Sequence, residues 1–133
     1  MYYLKQEVFG KLVDYAKVQA PNEACGLLTA NRETELIDSF IPIPNTSLEP
    51  RRQFALDPQT FIPLIYQLNE KEISWVGVVH SHPTSKAYPS NLDISSWHYA
   101  DKSYWIYSLD NAALQAYFIK AQTVLPVEYR IVF

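Results

Sequence analysis

A chain of 133 residues with 48% hydrophobic and 19% charged positions has the size of one domain and too much apolar material for a disordered tail. Eleven Lys and Arg against 14 Asp and Glu leave a formal charge of −3, which argues against nucleic acid as the main partner. The three glycines, Gly10, Gly26 and Gly77, lie too far apart for any phosphate-cradling loop. No apolar run approaches the roughly 20 residues of a membrane helix, and the amphipathic opening residues lead to the expectation of no secretory signal. Cys25 is the single cysteine, so it has no internal disulfide partner and fits a reducing compartment. The expectation is a soluble, cytoplasmic chain folded as one domain over residues 1–133.

Leu4, Val8, Leu12, Tyr15 and Ala16 recur at helical spacing, which predicts an amphipathic helix over 4–19, closed by Pro21. The apolar run Ala24 to Thr29 predicts a buried strand, followed by a turn at Asn31-Arg32 and a hairpin partner from Glu35 to Ile41. Residues 42–53 carry three prolines and read as a loop, with Phe54-Ala55-Leu56 as a short strand after it. Asp57-Pro58 is a helix opening, because Asp accepts amide hydrogen bonds at the N-cap and Pro at N1 gives up no needed donor. That helix is expected to run to about Lys71, with Pro63 in its early turns. Ile73 to Ser81 is almost continuously apolar, as a central strand covered on both faces requires. A helix from about Asn91 to Asp101 and strands over 104–109, 112–119 and 124–132 complete the chain. The fold class is therefore α/β or α+β, a mixed sheet flanked by about three helices.

The informative stretch is His80-Ser81-His82-Pro83 followed by Ser90 and Asp93. In a strand, positions i and i+2 share a face, so both imidazoles at its end can converge on one ion. Ser90 is a good N-cap, which places Asp93 in the first turn of the next helix. Two neutral imidazoles and a carboxylate suit catalytic zinc, with a water in the fourth position and its pKa brought to about 7. A further carboxylate, near the metal but not bound to it, would be needed to carry the proton. Each part has a plainer explanation alone: an Asp after a Ser cap usually complements the helix dipole. Two histidines at the end of a buried strand are costly without partners, and the combination is hard to explain by packing.

These residues resemble the JAMM, or MPN-plus, zinc metalloprotease family, whose pattern is an upstream Glu, His-Ser/Thr-His-Pro, six residues, Ser, two residues, Asp. The chain matches it at Glu23, His80-Ser81-His82-Pro83, Ser90 and Asp93, without departure. Pro21 to Leu28 is similar to the family's Glu-bearing strand entry, and Pro44-Asn45 with Phe54 to Pro58 is similar to its bacterial members. The resemblance implies a cytidine-deaminase-like core and one Zn²⁺ held by His80, His82 and Asp93 with a bound water. It implies that Glu23 is the general base and that Ser90 donates a hydrogen bond to the oxyanion. A hydroxyl can accept from one group and donate to another, so this role and the cap are compatible. Without the motif, Glu23 beside Pro21-Asn22 would read as a solvated loop carboxylate.

Competing chemistries find little support. Cys25 sits between Ala24 and Gly26 in an apolar strand, where a thiol is inert. No Gly-x-Ser-x-Gly elbow exists for a serine hydrolase, and a lone cysteine excludes the zinc-deaminase signature. His98 lies about 140° round the helix from Asp93 and falls outside the metal shell. Trp97, Tyr99, Tyr104, Trp105 and Tyr107 read as core rather than as a binding platform.

The resemblance is to the small prokaryotic members, which act on ubiquitin-like sulfur-carrier proteins at the C-terminal glycine. It implies a peptidase or isopeptidase that cuts there, with the carrier's tail as partner and neither nucleic acid nor membrane. The tail is expected to add as a strand beside a sheet edge near the zinc. The alternatives are a non-catalytic MPN-type binding module and a zinc amidohydrolase acting on small molecules.

Overall fold

The computed structural model describes residues 1–133 except 32, 33 and 35. Arg32 and Glu35, expected in the first turn and at the start of the second strand of the hairpin, lie outside the described residues. The order is β1 (Tyr2–Lys5), α1 (Gln6–Gln19), β2 (Cys25–Asn31), β3 (Leu36–Ile43), α2 (Pro58–Glu70) and β4 (Ile73–His82). It continues with α3 (Asn91–Ser96), β5 (Ser103–Ser108), β6 (Ala113–Lys120), β7 (Thr123–Val127) and β8 (Tyr129–Val132). The mixed α+β class with three helices is as expected. No helix among the described residues is long and apolar enough to cross a membrane.

The eight strands form one sheet in the order β7-β6-β5-β4-β2-β3-β1-β8. β2 is antiparallel to both β3 and β4, whereas β4 and β5 run parallel, joined by the crossover that holds α3. Strand periodicity sends neighbours to opposite faces, and the two faces are both buried. Leu28, Val79 and Trp105 face α1 through Val8, Leu12 and Ala16. Leu27, Ile43 and Val78 face α2 through Leu68, with Phe61, Leu64 and Ile65 beside them. This two-sided cover is why Ile73 to His82 shows no polar alternation. Buried or partly buried residues of all eight strands reach the α1 cluster, so the sheet curls around that helix. The curl also places its two ends close together: Glu128 alone separates β7 at one end from β8 at the other.

Several boundaries differ from those read in the sequence. Leu4 belongs to a strand, not to the first helix, because Tyr2–Lys5 pairs in parallel with both β3 and β8. The spacing of Leu4 and Val8 looked helical because β1 runs directly into α1. Phe54 to Leu56 makes one bridge, Asn45 to Leu56, and no strand. There the Asn45 side chain accepts the Ala55 amide that a neighbouring strand would have taken. Pro42 lies within β3, on a stretch that β1 leaves unpaired, so its missing N–H costs no ladder bond. The segment 124–132 is two strands, since both halves carry the same apolar pattern and only their partners differ.

The helix opened by Ser90 ends at Ser96, well short of Asp101. Ser95 and Ser96 turn their hydroxyls back onto the Leu92 carbonyl, the local competition that shortens helices. Trp97 then leaves the helix in an extended conformation and packs edge-on against Tyr104. By contrast, α2 begins where expected: Asp57 caps the Gln59 amide and Pro58 takes the first helical position.

Two glycines test how close the packing is. A Cβ on Gly77 would lie 2.5 Å from the Ser103 carbonyl oxygen and closer still to its hydroxyl, whereas one on Gly10 would meet nothing within 4 Å. Gly77→Ala must push β4 from β5 and should lose about 1–3 kcal/mol. Gly10→Ala, in mid-helix, should gain about 0.5–1 kcal/mol. Urea unfolding of the two variants checks both signs.

Candidate metal centre

The site forms at the end of β4, on the face shared with α2 and α3. His80 and His82 keep the parity of Val78, so both imidazoles leave the sheet on one side, and both are buried. Their Nε2 atoms lie 3.1 Å apart. Asp93 Oδ1 is 3.3 Å from His80 Nε2, and Asp93 Oδ2 is 3.2 Å from His82 Nε2. Glu23 stands further back, with Oε1 4.0 Å from His80 Nε2. The structure thus brings together the three residues read as ligands and the one read as base.

Local structure explains each placement. Asp93 is the third residue of α3, in a reciprocal capping box: its amide donates to Ser90 Oγ at 3.0 Å, and Asp93 Oδ2 accepts the Ser90 amide at 2.8 Å. Ser90 is exposed and its hydroxyl proton is not used by the cap. Glu23 precedes β2. Its amide donates to the Pro50 carbonyl at 2.7 Å, and its carbonyl accepts from Asn45 Nδ2 at 3.0 Å. Ser81, between the two histidines, points to the other face. There its Oγ accepts the Ala24 amide at 2.8 Å, while its own amide donates to the Ala24 carbonyl.

The electrostatics separate the two carboxylates. Burial alone would raise Asp93, but the two imidazoles and the Tyr104 hydroxyl, which donates to Oδ1 at 2.7 Å, hold it far below the usual carboxylate range. Burial raises Glu23 to about 6, against the opposing pull of His80 and His82. His82 is also pulled down by burial. Its contacts with Asp93 and the Lys86 carbonyl outweigh that and leave it raised. Nδ1 of His82 lies 2.8 Å from the Lys86 oxygen, which can only accept, so Nδ1 carries a proton and Nε2 is the nitrogen that faces the cluster.

These residues fit a small divalent ion. Glu23, His80 and His82 offer donor atoms within 4.8 Å of one another, and Asp93 lies nearer still to both imidazoles. Tetrahedral bonds of about 2.0–2.2 Å place donors about 3.3–3.6 Å apart, close to the 3.1–3.3 Å found among His80, His82 and Asp93. Glu23 Oε1 is buried and has no hydrogen-bond partner among the described residues. A carboxylate oxygen in that state is costly unless a proton donor faces it, as a base beside a reacting water would require.

Other residues sort as follows. Cys25 is buried, donates to the Ile43 carbonyl and is pushed up to about 12 by burial and then by Glu23, so it is no nucleophile. His98 is exposed beyond the end of α3. Three contributors went unassigned in the sequence. Phe54 stacks on His80 at 4.5 Å, Asn45 binds the Glu23 backbone, and Tyr104, read as core, is core but also holds Asp93. The polar Ser81 inside an apolar strand was the one signal available for its role. A cleft of about 420 Å³ adjoins the site, walled by Phe54, Phe61, Leu92, Asp93, Trp97 and Tyr99 among others.

Known proteins resemble this chain in sequence and in shape. A desampylase of Haloferax volcanii is 32% identical over 73 residues, covering 55% of this chain and 52% of that protein. A probable TtuB-protein conjugate cleaving protease of Thermus thermophilus is 34% identical over 76 residues, covering 57% and 49%. The chain thus spans about half the length of the curated relatives it matches. A protein of Desulfitobacterium hafniense, solved in solution, superposes with a TM-score of 0.88 at 26% identity, covering 99% of this chain and 93% of that one. The model of the prokaryotic homologs of the JAB domain matches residues 5–120, and the chain belongs to that family.

Proposed function

We propose that this chain is a zinc peptidase or isopeptidase that cuts the amide bond at the C-terminal glycine of a ubiquitin-like or sulfur-carrier protein, in the cytoplasm. One observation carries it: a buried Glu23 oxygen with no hydrogen-bond partner among the described residues, 4.0 Å from His80 Nε2, which with His82 meets the carboxylate of Asp93. The names of the archaeal and Thermus relatives, a desampylase and a conjugate-cleaving protease, support the substrate class.

Zinc held by His80, His82 and Asp93 would supply a water acidified towards pKa ~7 and a Lewis acid for the scissile carbonyl. Burial raises Glu23 to about 6, and a cation bound beside it would favour its carboxylate, so it is ionised and able to act as a base at neutral pH. It takes the proton of the attacking water and returns it to the departing amine. Ser90 keeps its hydroxyl proton for the carbonyl oxygen as negative charge develops there. Strand addition near the site, expected from the sequence, would have to use β3, whose stretch beyond Ile37 β1 leaves unpaired and whose Ile43 pairs with Cys25, the partner of His80. β2 and β4 each have a partner on both sides, and the outermost strands, β7 and β8, carry none of the site residues. The aromatic cleft beside Asp93 is the concave surface next to the site that an extended tail could also use.

Three outcomes test the reading. Purified protein should hold about one Zn²⁺ per chain, and Asp93→Ala and His82→Ala should both lose it by metal analysis. Full occupancy in both variants means the ligands are wrong. Ser90→Ala should remain folded and zinc-loaded, lose about 1 kcal/mol with the cap and fall ~10²–10³-fold in kcat. Wild-type turnover in that variant rules out the oxyanion role. Glu23→Gln should keep its fold and zinc but lose ~10²–10⁴ in rate, and it should trap uncleaved carrier conjugate in pull-downs. Cleavage by Glu23→Gln at the wild-type rate rejects the mechanism.

A further inference from the structure

We propose that Tyr104 is a positioning residue for the metal centre, its hydroxyl fixing the rotation of the Asp93 carboxylate; the inference rests on the zinc reading above. The candidate ligands stand on two separate elements. His80 and His82 are carried by the sheet, whereas Asp93 is carried by the six-residue α3. At the start of α3, the Ser90 amide holds Asp93 Oδ2 at 2.8 Å, which by itself does not fix the position of Oδ1. The second restraint comes from the sheet. Tyr104 lies on β5, paired with Val78 of β4, and donates to Asp93 Oδ1 at 2.7 Å. The hydroxyl therefore ties the helix-borne carboxylate to the strands that bear the imidazoles.

The phenol is itself held still. Tyr104 is 1% exposed, and its ring centroid lies 4.9 Å from that of His80 and 4.8 Å from that of Trp97. A buried tyrosine needs an acceptor wherever it sits, so the choice of acceptor is what carries information. Tyr117 and Tyr129 donate to backbone carbonyls, of Ala87 and Leu114. Tyr104 donates instead to a carboxylate whose two oxygens each lie within 3.3 Å of an imidazole nitrogen. Partners of this kind fix the orientation of metal ligands, and their removal typically costs ~10–100-fold in metal affinity.

The experiment compares Tyr104→Phe with Tyr129→Phe, which loses a part-buried hydroxyl bond to a backbone carbonyl away from the site. Zinc affinity is measured by competition with a chelator, Co²⁺-substituted protein is followed by its visible absorption, and apo-protein stability is followed by urea unfolding. Tyr104→Phe should bind zinc ~10–100-fold more weakly, with a changed Co²⁺ spectrum, while Tyr129→Phe keeps wild-type affinity and spectrum. Unchanged zinc affinity in Tyr104→Phe overturns the proposal. So does equal weakening in both variants, which would mark a purely structural role, or a Tyr104→Phe protein that does not fold. A wild type that takes up no zinc rejects the metal reading and this inference with it; the other outcomes touch this inference alone.

Discussion

Two hydrogen bonds between Ala24 and Ser81 hold together the parts from which the site is made. The Ala24 amide reaches Ser81 Oγ, and the Ser81 amide reaches the Ala24 carbonyl. They sit just beyond the Cys25 to His80 pair and continue the β2–β4 ladder past the end of β2. Glu23 is the next residue along, so its side chain is delivered to the histidines by this register. A slip of one residue would send His80 and His82 to the face that α1 covers, since side chains alternate with period two. Asn45 and the Pro50 carbonyl hold the other side of Glu23. The proline-rich loop thus does structural work at the site, bracing the backbone of the acid from outside the sheet.

Burial acts on both acids of the site with opposite results. Asp93 is surrounded by groups that favour its charge: the Ser90 amide, the Tyr104 hydroxyl and two imidazoles. Glu23 has imidazoles at longer range and an oxygen with no donor among the described residues, so desolvation prevails and its carboxyl is raised. Environments that push two acids apart separate their roles: the first stays ionised and suits a ligand, and the second suits proton transfer near neutrality. This split follows from the positions of a few donors, not from any difference between Asp and Glu as such.

How much of this could be read in advance depended on whether the cause was local. His80, His82, Ser90 and Asp93 fall within 14 residues, and their relation follows from strand parity and a helix cap, both properties of short segments. Asp57-Pro58 likewise announces α2. Glu23 was different: 57 residues separate it from His80, and only the family resemblance singled it out. The hydroxyl of Tyr104 was hidden for the same reason, because β5 must pair beside β4 before it can meet Asp93. The crossing of β8 to the far end of the sheet was equally unreadable. Its alternation is like that of β7, and nothing local in 124–132 says which strand each half will join.

The shortness of α3 shows how local rules and site geometry meet. A helix of six residues is too brief to be stable by propensity, since nucleation is costly and few bonds repay it. Here Asp93 and Ser90 satisfy each other's amides, Ile94 and Trp97 bury their side chains, and the chain then turns away to supply the edge of Trp97 to Tyr104. The same carboxylate that caps the helix faces the histidines, so the cap and the metal geometry are one restraint. A longer helix would have carried Trp97 off that path and removed one wall from around Tyr104. The early stop at Ser96 is therefore part of how the sequence holds Asp93 in place.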